Sequence, residues 1–132
     1  SMTHIVGTLQ FIAPEIWDFA FVTGSDSNKP KPTKKADLYS LAIILWQLFH
    51  FPKIEYLKNL AEFTAKNICE NNKRPPFDEK FFDKELKKKI EKMWHFNPEL
   101  RTNLIEMIEF LEKLIQKQSE KRKEIIIVSN NN

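Results

Sequence analysis

Glycine is scarce in this sequence, which has two glycines among its 132 residues. A loop that wraps a nucleotide phosphate with backbone amides needs several closely spaced glycines. The chain therefore has no room for a glycine-rich phosphate loop. Cysteine is scarcer still, because Cys69 is alone. A single cysteine excludes an internal disulfide and suits a reducing compartment.

An excess of one charge is also lacking. Lysine and arginine number 21 against 18 acidic residues, and the formal net charge is only +3. The lysines alternate with glutamates, so no basic surface for nucleic acid is predicted. The sequence shows no signal peptide and no apolar run long enough to span a bilayer. We therefore expect a cytoplasmic protein without a membrane segment in this chain.

The sequence does contain enough apolar residues to form a hydrophobic core. Hydrophobic residues make up 42% of it, with eleven Phe and three Trp, which indicates a globular domain. The stretch of residues 36–49 is apolar on almost every helical side, which predicts a buried helix. Thr33 is suited to cap its start, and Pro52 to end it. We predict a central helix at about 34–50.

Apolar side chains at helical spacing predict further helices along the chain. The predicted ranges are 15–21, 55–69, 81–95 and 103–117. Between the first of these and the central helix, residues 23–35 are polar and turn-forming, which predicts a surface loop. The fold class is therefore all-α, with no sheet beyond short strands. Residues 1–118 form the domain, and residues 119–132 are expected to be a charged, disordered tail. Two alternatives stay open: residues 116–124 could continue the last helix as a fraying extension, and the β-prone residues 125–128 could form a short strand.

Three motifs occur in a fixed order around the central helix. They are G-T-L-Q-F-I-A-P-E at residues 7–15, D-L-Y-S-L-A at residues 37–42 and W-H-F-N-P-E-L-R at residues 94–101. The first resembles the G-T-x-x-[YF]-x-A-P-E segment that closes the activation loop of eukaryotic protein kinases. The second is similar to the opening of the kinase F helix, and the third to the C-W-x-x-x-P-x-x-R element before the final helix, with Met93 at the position of its Cys. Over residues 3–115 the chain therefore resembles the C-terminal lobe of a protein kinase, most similar to the tyrosine-kinase-like group with a serine/threonine-type segment.

The resemblance implies a substrate-binding segment. In kinases with this motif, the residue at the position of Thr8 acts as a clamp between the catalytic Asp and a nearby Lys. The positions of Leu9, Phe11 and Ile12 would line the pocket for the residue that follows the phosphorylated one. Phe11 replaces the commoner Tyr or Trp. Thr3 lies where activation loops are phosphorylated and is a candidate phosphosite.

The resemblance also implies structural residues. Glu15 of the A-P-E motif would bind Arg101 with a bidentate contact that a lysine could not reproduce. Asp37 would accept backbone hydrogen bonds from the H-R-D loop of a kinase. Without the resemblance, the residues allow simpler roles. Glu15 and Arg101 could be separate surface charges, and Asp37 could simply be a first-turn acid favoured by the helix dipole.

The catalytic motifs of protein kinases do not occur in this sequence. Phosphoryl transfer needs residues that hold nucleotide and metal and a base for the hydroxyl. Kinases carry these on V-A-I-K, H-R-D-x-x-x-x-N and D-F-G. The resemblance implies that they lie before residue 1. We therefore expect no catalytic residue, no metal site, and no ATP or Mg²⁺ in this chain, both being needed only by the full-length parent.

The expected partners are the remainder of the kinase domain and a protein or peptide substrate. Because the kinase elements that would cover one side of the 34–50 helix are absent, we expect the isolated chain to self-associate. Two other hypotheses stay open. The parent could be a pseudokinase or scaffold that presents this lobe and residues 23–35 to a partner. The chain could also be an unrelated all-α interaction bundle, with residues 7–15 helical and far from Arg101.

Overall fold

The computed structural model describes residues 11–17, 33–51, 65–80 and 82–132, and the statements below concern these residues. Within them the helices are α1 (Lys34–His50), α2 (Ala65–Cys69), α3 (Lys84–Met93), a 3-10 turn (Pro98–Leu100) and α4 (Leu104–Asn131). Residues 14–17 form a further helical turn, and no described residue lies in a strand. The predicted all-α class is confirmed. The chain divides into two compact units, Ser1–Arg101 and Thr102–Asn132.

Helix α1 begins and ends where its sequence predicts. The Thr33 side chain accepts a hydrogen bond from the Ala36 amide at 3.1 Å, which satisfies one of the free amides of the first turn. At the other end Phe51 has extended backbone angles, and its amide closes the last turn on Gln47. The predicted range of 34–50 is confirmed. The buried side chains of α1 are Ala36, Leu38, Tyr39, Ala42, Ile43, Trp46 and His50.

Burial on every side of α1 is not found. Ile44, Leu48 and Phe49 are 43%, 65% and 45% exposed. Because apolar residues lie on almost every side of α1, the sequence does not indicate which side is buried in this chain. The exposed apolar side is the surface on which the expected self-association depends.

Helix α3 packs against α1. It begins later than predicted because the Asp83 side chain accepts the Leu86 amide hydrogen at 2.9 Å and so caps the helix at Lys84. Its apolar side, Leu86, Ile90 and Met93, is almost completely buried. Burial of each of these side chains stabilises the fold by about 1.5–3 kcal/mol before cavity effects.

Helix α4 belongs to the second unit and is longer than predicted. Asn103 caps its start, with the side chain accepting the Ile105 amide hydrogen at 2.7 Å. The helix runs to Asn131, past the predicted end at 117. It therefore includes residues 119–131 of the segment for which we expected a disordered tail. Residues 116–124 contain strong helix formers and neither glycine nor proline, so nothing in them ends the helix.

Other predictions fall partly or wholly outside the described residues. The predicted 15–21 helix is described only at 14–17, and the predicted 55–69 helix only at α2. The 23–35 loop is described only from residue 33 onward. In the described part of the chain, no helix combines the length and the apolar character that crossing a membrane requires.

His50, at the end of α1, is buried between aromatic rings. Its ring stacks on Phe82 with centroids 4.9 Å apart. The Asp78 amide donates a hydrogen bond to His50 Nε2 at 3.2 Å. Because Nε2 is an acceptor, Nδ1 of the neutral ring carries the hydrogen, and it donates to the Trp46 carbonyl at 2.7 Å. His50 therefore connects the end of α1 to the segment that precedes α3.

We expect His50→Phe to lower the free energy of unfolding by about 1–3 kcal/mol, because the ring is kept but the Asp78 amide loses this acceptor inside the protein. His95→Phe is the matched control. His95 also accepts a backbone amide hydrogen, from Asn97 at 3.0 Å, but it is exposed, so water replaces the lost bond. Its effect should stay within about 0.5 kcal/mol. Denaturant unfolding of the two variants measures the difference, and equal effects would contradict it.

Candidate functional site

The predicted site residues divide between described and undescribed parts of the chain. Thr3, Thr8 and Leu9 lie outside the described residues. The remaining predicted residues are Phe11, Ile12, Glu15, Asp37 and Arg101. The site can therefore be built from the segment of residues 11–17 and the groups that hold it.

Arg101 is positioned by the 3-10 turn. Asn97 caps this turn by accepting the Glu99 amide hydrogen at 3.0 Å, and Pro98 supplies a fixed φ at its first position. The Arg101 amide closes the turn on the Pro98 carbonyl, and Arg101 itself is extended. Its side chain is completely buried, with 0% exposure.

The guanidinium of Arg101 contacts both oxygens of Glu15. Nη1 donates to Oε1 at 2.7 Å, and Nη2 donates to Oε2 at 2.8 Å. Such a bidentate pair uses the planar fork of arginine. The motif resemblance predicts a contact between Glu15 and Arg101, and the structure contains it, although the two residues are 86 positions apart.

The same guanidinium also binds two backbone carbonyls. Nη1 donates to the Lys35 carbonyl at 2.7 Å, and Nε donates to the His95 carbonyl at 2.8 Å. Lys35 lies in the first turn of α1, and His95 follows α3. Arg101 therefore joins three parts of the first unit: the turn at 14–17, the start of α1 and the chain that leaves α3.

A second arginine lies close to this junction. The guanidinium carbons of Arg74 and Arg101 are 5.1 and 5.4 Å from the centroid of the buried Tyr39 ring. Both are within the range at which a cation is attracted to an aromatic face. Burial raises the pKa of the Tyr39 hydroxyl, and the two arginines partly oppose that shift. Burial also lowers the pKa of Arg74.

The segment that carries Phe11 and Ile12 is fixed by its backbone. The Ser40 hydroxyl on α1 donates to the Phe11 carbonyl at 2.6 Å; the Ala36 carbonyl is a more distant acceptor at 3.3 Å. Ile12 packs against a cluster formed by Trp17 and Ile68. Phe11 and Ile12 are both half-buried, so each keeps part of its side chain accessible to another molecule.

Ser40 is a site residue that sequence reasoning missed. The signal was available, because Ser40 is a hydroxyl within the predominantly apolar stretch of α1 and belongs to the D-L-Y-S-L-A motif. The carbonyls of Lys35 and His95 were also missed. A backbone carbonyl is present in every residue, so the sequence gives no signal for these two acceptors.

Asp37 lies in the first turn of α1 and is exposed. The position agrees with a role in the helix dipole, since a carboxylate is favoured there. Its contact with an H-R-D loop stays a prediction. Among the described residues, no group of three or more His, Cys, Asp or Glu side chains is suited to hold a metal ion. The arrangement of Arg101, Glu15 and Ser40 connects the segment of residues 11–17 to α1 and to the chain that leaves α3.

Comparison with known proteins finds a matching family and several similar sequences. The family model described as protein tyrosine and serine/threonine kinase matches residues 6–111. A dual specificity protein kinase, shkA, of Dictyostelium discoideum is 34% identical over 113 residues, which are 83% of this chain and 19% of that protein. The serine/threonine-protein kinase STY17 of Arabidopsis thaliana is 33% identical over 117 residues, covering 87% of this chain and 18% of that protein.

A human relative matches as well. Receptor-interacting serine/threonine-protein kinase 1 is 32% identical over 97 residues, covering 72% of this chain and 13% of that protein. The chain thus spans less than a fifth of the length of these relatives. No solved structure matches the chain significantly.

The junction predicts strong coupling between Glu15 and Arg101. Arg101→Ala should cost about 3–5 kcal/mol of unfolding free energy, because it leaves a partly buried carboxylate without its cation. The effects of Glu15→Ala and Arg101→Ala should not add: we expect a coupling energy of about 1–3 kcal/mol from denaturant unfolding of both single variants and the double variant. Arg101→Lys should restore only part of the loss, because lysine lacks the fork.

Glu79 and Lys87 provide a matched control for this cycle. Their charged atoms are also 2.7 Å apart, but the side chains are 76% and 30% exposed. Solvent screens such a pair, so its coupling should be much smaller than that of Glu15 and Arg101. Additive effects at Glu15 and Arg101 would show that their contact does not stabilise the fold.

Proposed function

The chain belongs to the protein tyrosine and serine/threonine kinase family, and on that premise we propose that it is the substrate-docking and supporting part of a protein serine/threonine kinase. The observation that carries this proposal is the junction at Arg101. It ties the segment of residues 11–17 to α1 and to the chain after α3 through one buried guanidinium. Catalytic residues are proposed to lie elsewhere in the parent protein.

Rigid support suits this role. Kinase catalysis depends largely on positioning the hydroxyl that accepts the phosphoryl group and on stabilising charge. A segment that binds the acceptor peptide must therefore not move when the peptide is present. The Ser40 bond to the Phe11 carbonyl and the Glu15 contact with Arg101 fix this segment on both sides of Ile12. The half-buried side chains of Phe11 and Ile12 then offer an apolar surface to the residue that follows the phosphorylated one.

Serine and threonine are the proposed acceptors. Gly7 and Thr8 match the serine/threonine-type activation segment. The names of the Arabidopsis and human relatives describe serine/threonine kinases and support this proposal, whereas shkA is named a dual specificity kinase. We also propose membership of the tyrosine-kinase-like group, which is supported by the long polar segment of residues 23–35 between the A-P-E motif and the central helix. We further propose a cytoplasmic location.

The exposed apolar side of α1 fits the proposed partner, the remainder of the kinase domain. Ile44, Leu48 and Phe49 are 43%, 65% and 45% exposed. Such a surface is stabilised when other apolar groups cover it. We propose that the parent places its catalytic elements on this side, and that Thr3 is a phosphosite in the segment that precedes Gly7.

We expect no binding of Mg-ATP to the isolated chain by titration calorimetry. The sequence offers no glycine-rich loop, and the described residues offer no metal-binding cluster to neutralise the phosphate charges. The intact parent, measured under the same conditions, is the positive control. Micromolar binding to the isolated chain would contradict the proposal that nucleotide is held elsewhere.

We expect Phe11→Ala in the intact parent to raise KM by about tenfold or more for peptides with a large apolar residue after the acceptor, because an apolar contact is lost. The change in kcat should be smaller, since this contact is made in both the ground state and the transition state. Peptides with a small residue at that position should be much less affected. Steady-state kinetics with the paired peptides measures this.

Phe96→Ala is the control, because Phe96 is an aromatic residue exposed by 43% outside the segment of residues 11–17. Equal effects of Phe11→Ala on both peptides would contradict the docking role while leaving the kinase assignment intact. A parent that phosphorylates neither serine, threonine nor tyrosine peptides would instead indicate the pseudokinase or scaffold alternative.

A further inference from the structure

The second half of α4 carries apolar side chains in water. The helix has 28 residues, which corresponds to a length of about 42 Å. Near its end Ile125 and Val128 are 68% and 61% exposed. Met107 is its only fully buried side chain. A long, largely exposed helix with apolar residues at both ends is costly unless another surface covers it.

These residues follow a seven-residue repeat. The apolar side chains of α4 include those at the a and d positions that form the seam of a coiled coil. Ile115, Ile126 and Ile127 are also apolar and exposed, but they lie at e, b and c positions outside the seam. Its a positions are Leu104, Leu111, Gln118 and Ile125, and its d positions are Met107, Leu114, Lys121 and Val128. The seam is thus apolar towards each end and polar in the middle, at Gln118 and Lys121.

We propose that α4 binds α4 of a second copy of this chain as an antiparallel coiled coil over residues 111–128. The twofold axis passes between Ser119 and Glu120. In an antiparallel pair each a position faces a d position of the partner. The facing layers are then Leu111 with the partner's Val128, Leu114 with the partner's Ile125, and Gln118 with the partner's Lys121, each occurring twice.

Each layer of this register joins side chains of the same kind. Leu111 and Leu114 are half-buried within their own chain, and the partner's Val128 and Ile125 would cover what remains exposed. The carbonyl of Gln118 is an acceptor for the ammonium group of the partner's Lys121. A polar layer of this kind lowers stability but specifies register and orientation.

Charges beside the seam favour the same register. Antiparallel helices bring each g position next to a g position of the partner. Here that places Lys117 beside the partner's Glu124, and Glu124 beside the partner's Lys117. Within the described residues, neither side chain forms an ion pair in its own chain. Two attractive pairs therefore form without breaking existing ones.

Other arrangements of the two helices mismatch both the seam layers and the charges beside the seam. A shift of one heptad places Gln118 opposite either Leu114 or Val128 of the partner. The same shift places Lys117 beside the partner's Lys117, or Glu124 beside the partner's Glu124, so that like charges meet. In a parallel pair Lys121 would face Lys121 in the seam, and Lys117 would lie beside the partner's Arg122. The agreement of core and charge in one register identifies a second copy of this chain as the partner.

Charge exchange tests the proposal with the whole chain. Lys117→Glu and Glu124→Lys each convert both attractive pairs into repulsive ones, so each should raise the dimer dissociation constant by about tenfold in sedimentation equilibrium at low salt. The double variant should regain dimerisation. An equimolar mixture of the two single variants should form heterodimers, because every pair in the mixed dimer is attractive. Lys123→Glu, which changes the same charge at an outer f position, is the matched control and should have little effect.

Replacing apolar residues with serine distinguishes binding through the seam from non-specific hydrophobic association. Ile125→Ser should weaken the dimer strongly, whereas Ile127→Ser, at an outer c position, should not, although Ile127 is 59% exposed. Equal effects at both positions, accompanied by binding to anionic lipid vesicles, would overturn the proposal in favour of a membrane surface. If none of the charge exchanges changes the dissociation constant of the dimer, the proposal would be overturned, and the exposed apolar side of α1 would be the surface through which the chain self-associates. A chain that stays monomeric at high micromolar concentration would also overturn it.

Discussion

A single buried guanidinium determines how the first unit is assembled. The Arg101 side chain has no exposed surface, so its charge must be matched inside the protein. Glu15 provides the opposite charge, and the carbonyls of Lys35 and His95 accept further hydrogens. Removing the carboxylate would leave an uncompensated buried cation, which costs more than the loss of an exposed ion pair. The turn at 14–17, the start of α1 and the exit from α3 consequently have to meet at one point.

The junction also explains why Tyr39 is an aromatic residue beside two cations. Both guanidinium groups make hydrogen bonds at their edges, but an aliphatic side chain in place of Tyr39 would cover their faces without attracting the charge. The face of the Tyr39 ring attracts cations, and both guanidinium carbons lie within 5.4 Å of its centroid. Burial lowers the pKa of Arg74.

The sequence predicts those features whose causes are local or belong to a motif. Thr33 and the apolar run determine the limits of α1, and the A-P-E and P-x-x-R motifs bring Glu15 to Arg101. The covered side of α1 was not predictable, because its apolar residues are alike on all sides. The full length of α4 was not predicted, because a tail was preferred to a helical extension for a charged segment of good helix formers. The Ser40 bond was missed because a serine hydroxyl has many acceptors within reach, and only the fold selects the Phe11 carbonyl.

The 86 positions between Glu15 and Arg101 have a consequence for the order of folding. Helices α1 and α3 are built from local hydrogen bonds, whereas the Glu15 contact needs closure of most of the chain into a loop, at an entropic cost that local contacts avoid. The contact between Glu15 and Arg101 is therefore expected to form later than the Ser40 bond to the Phe11 carbonyl, which joins residues only 29 positions apart. During synthesis the Glu15 contact must wait until Arg101 has left the ribosome, so a nascent or cleaved chain that ends before Arg101 presents Phe11 and Ile12 on a backbone that lacks this anchor.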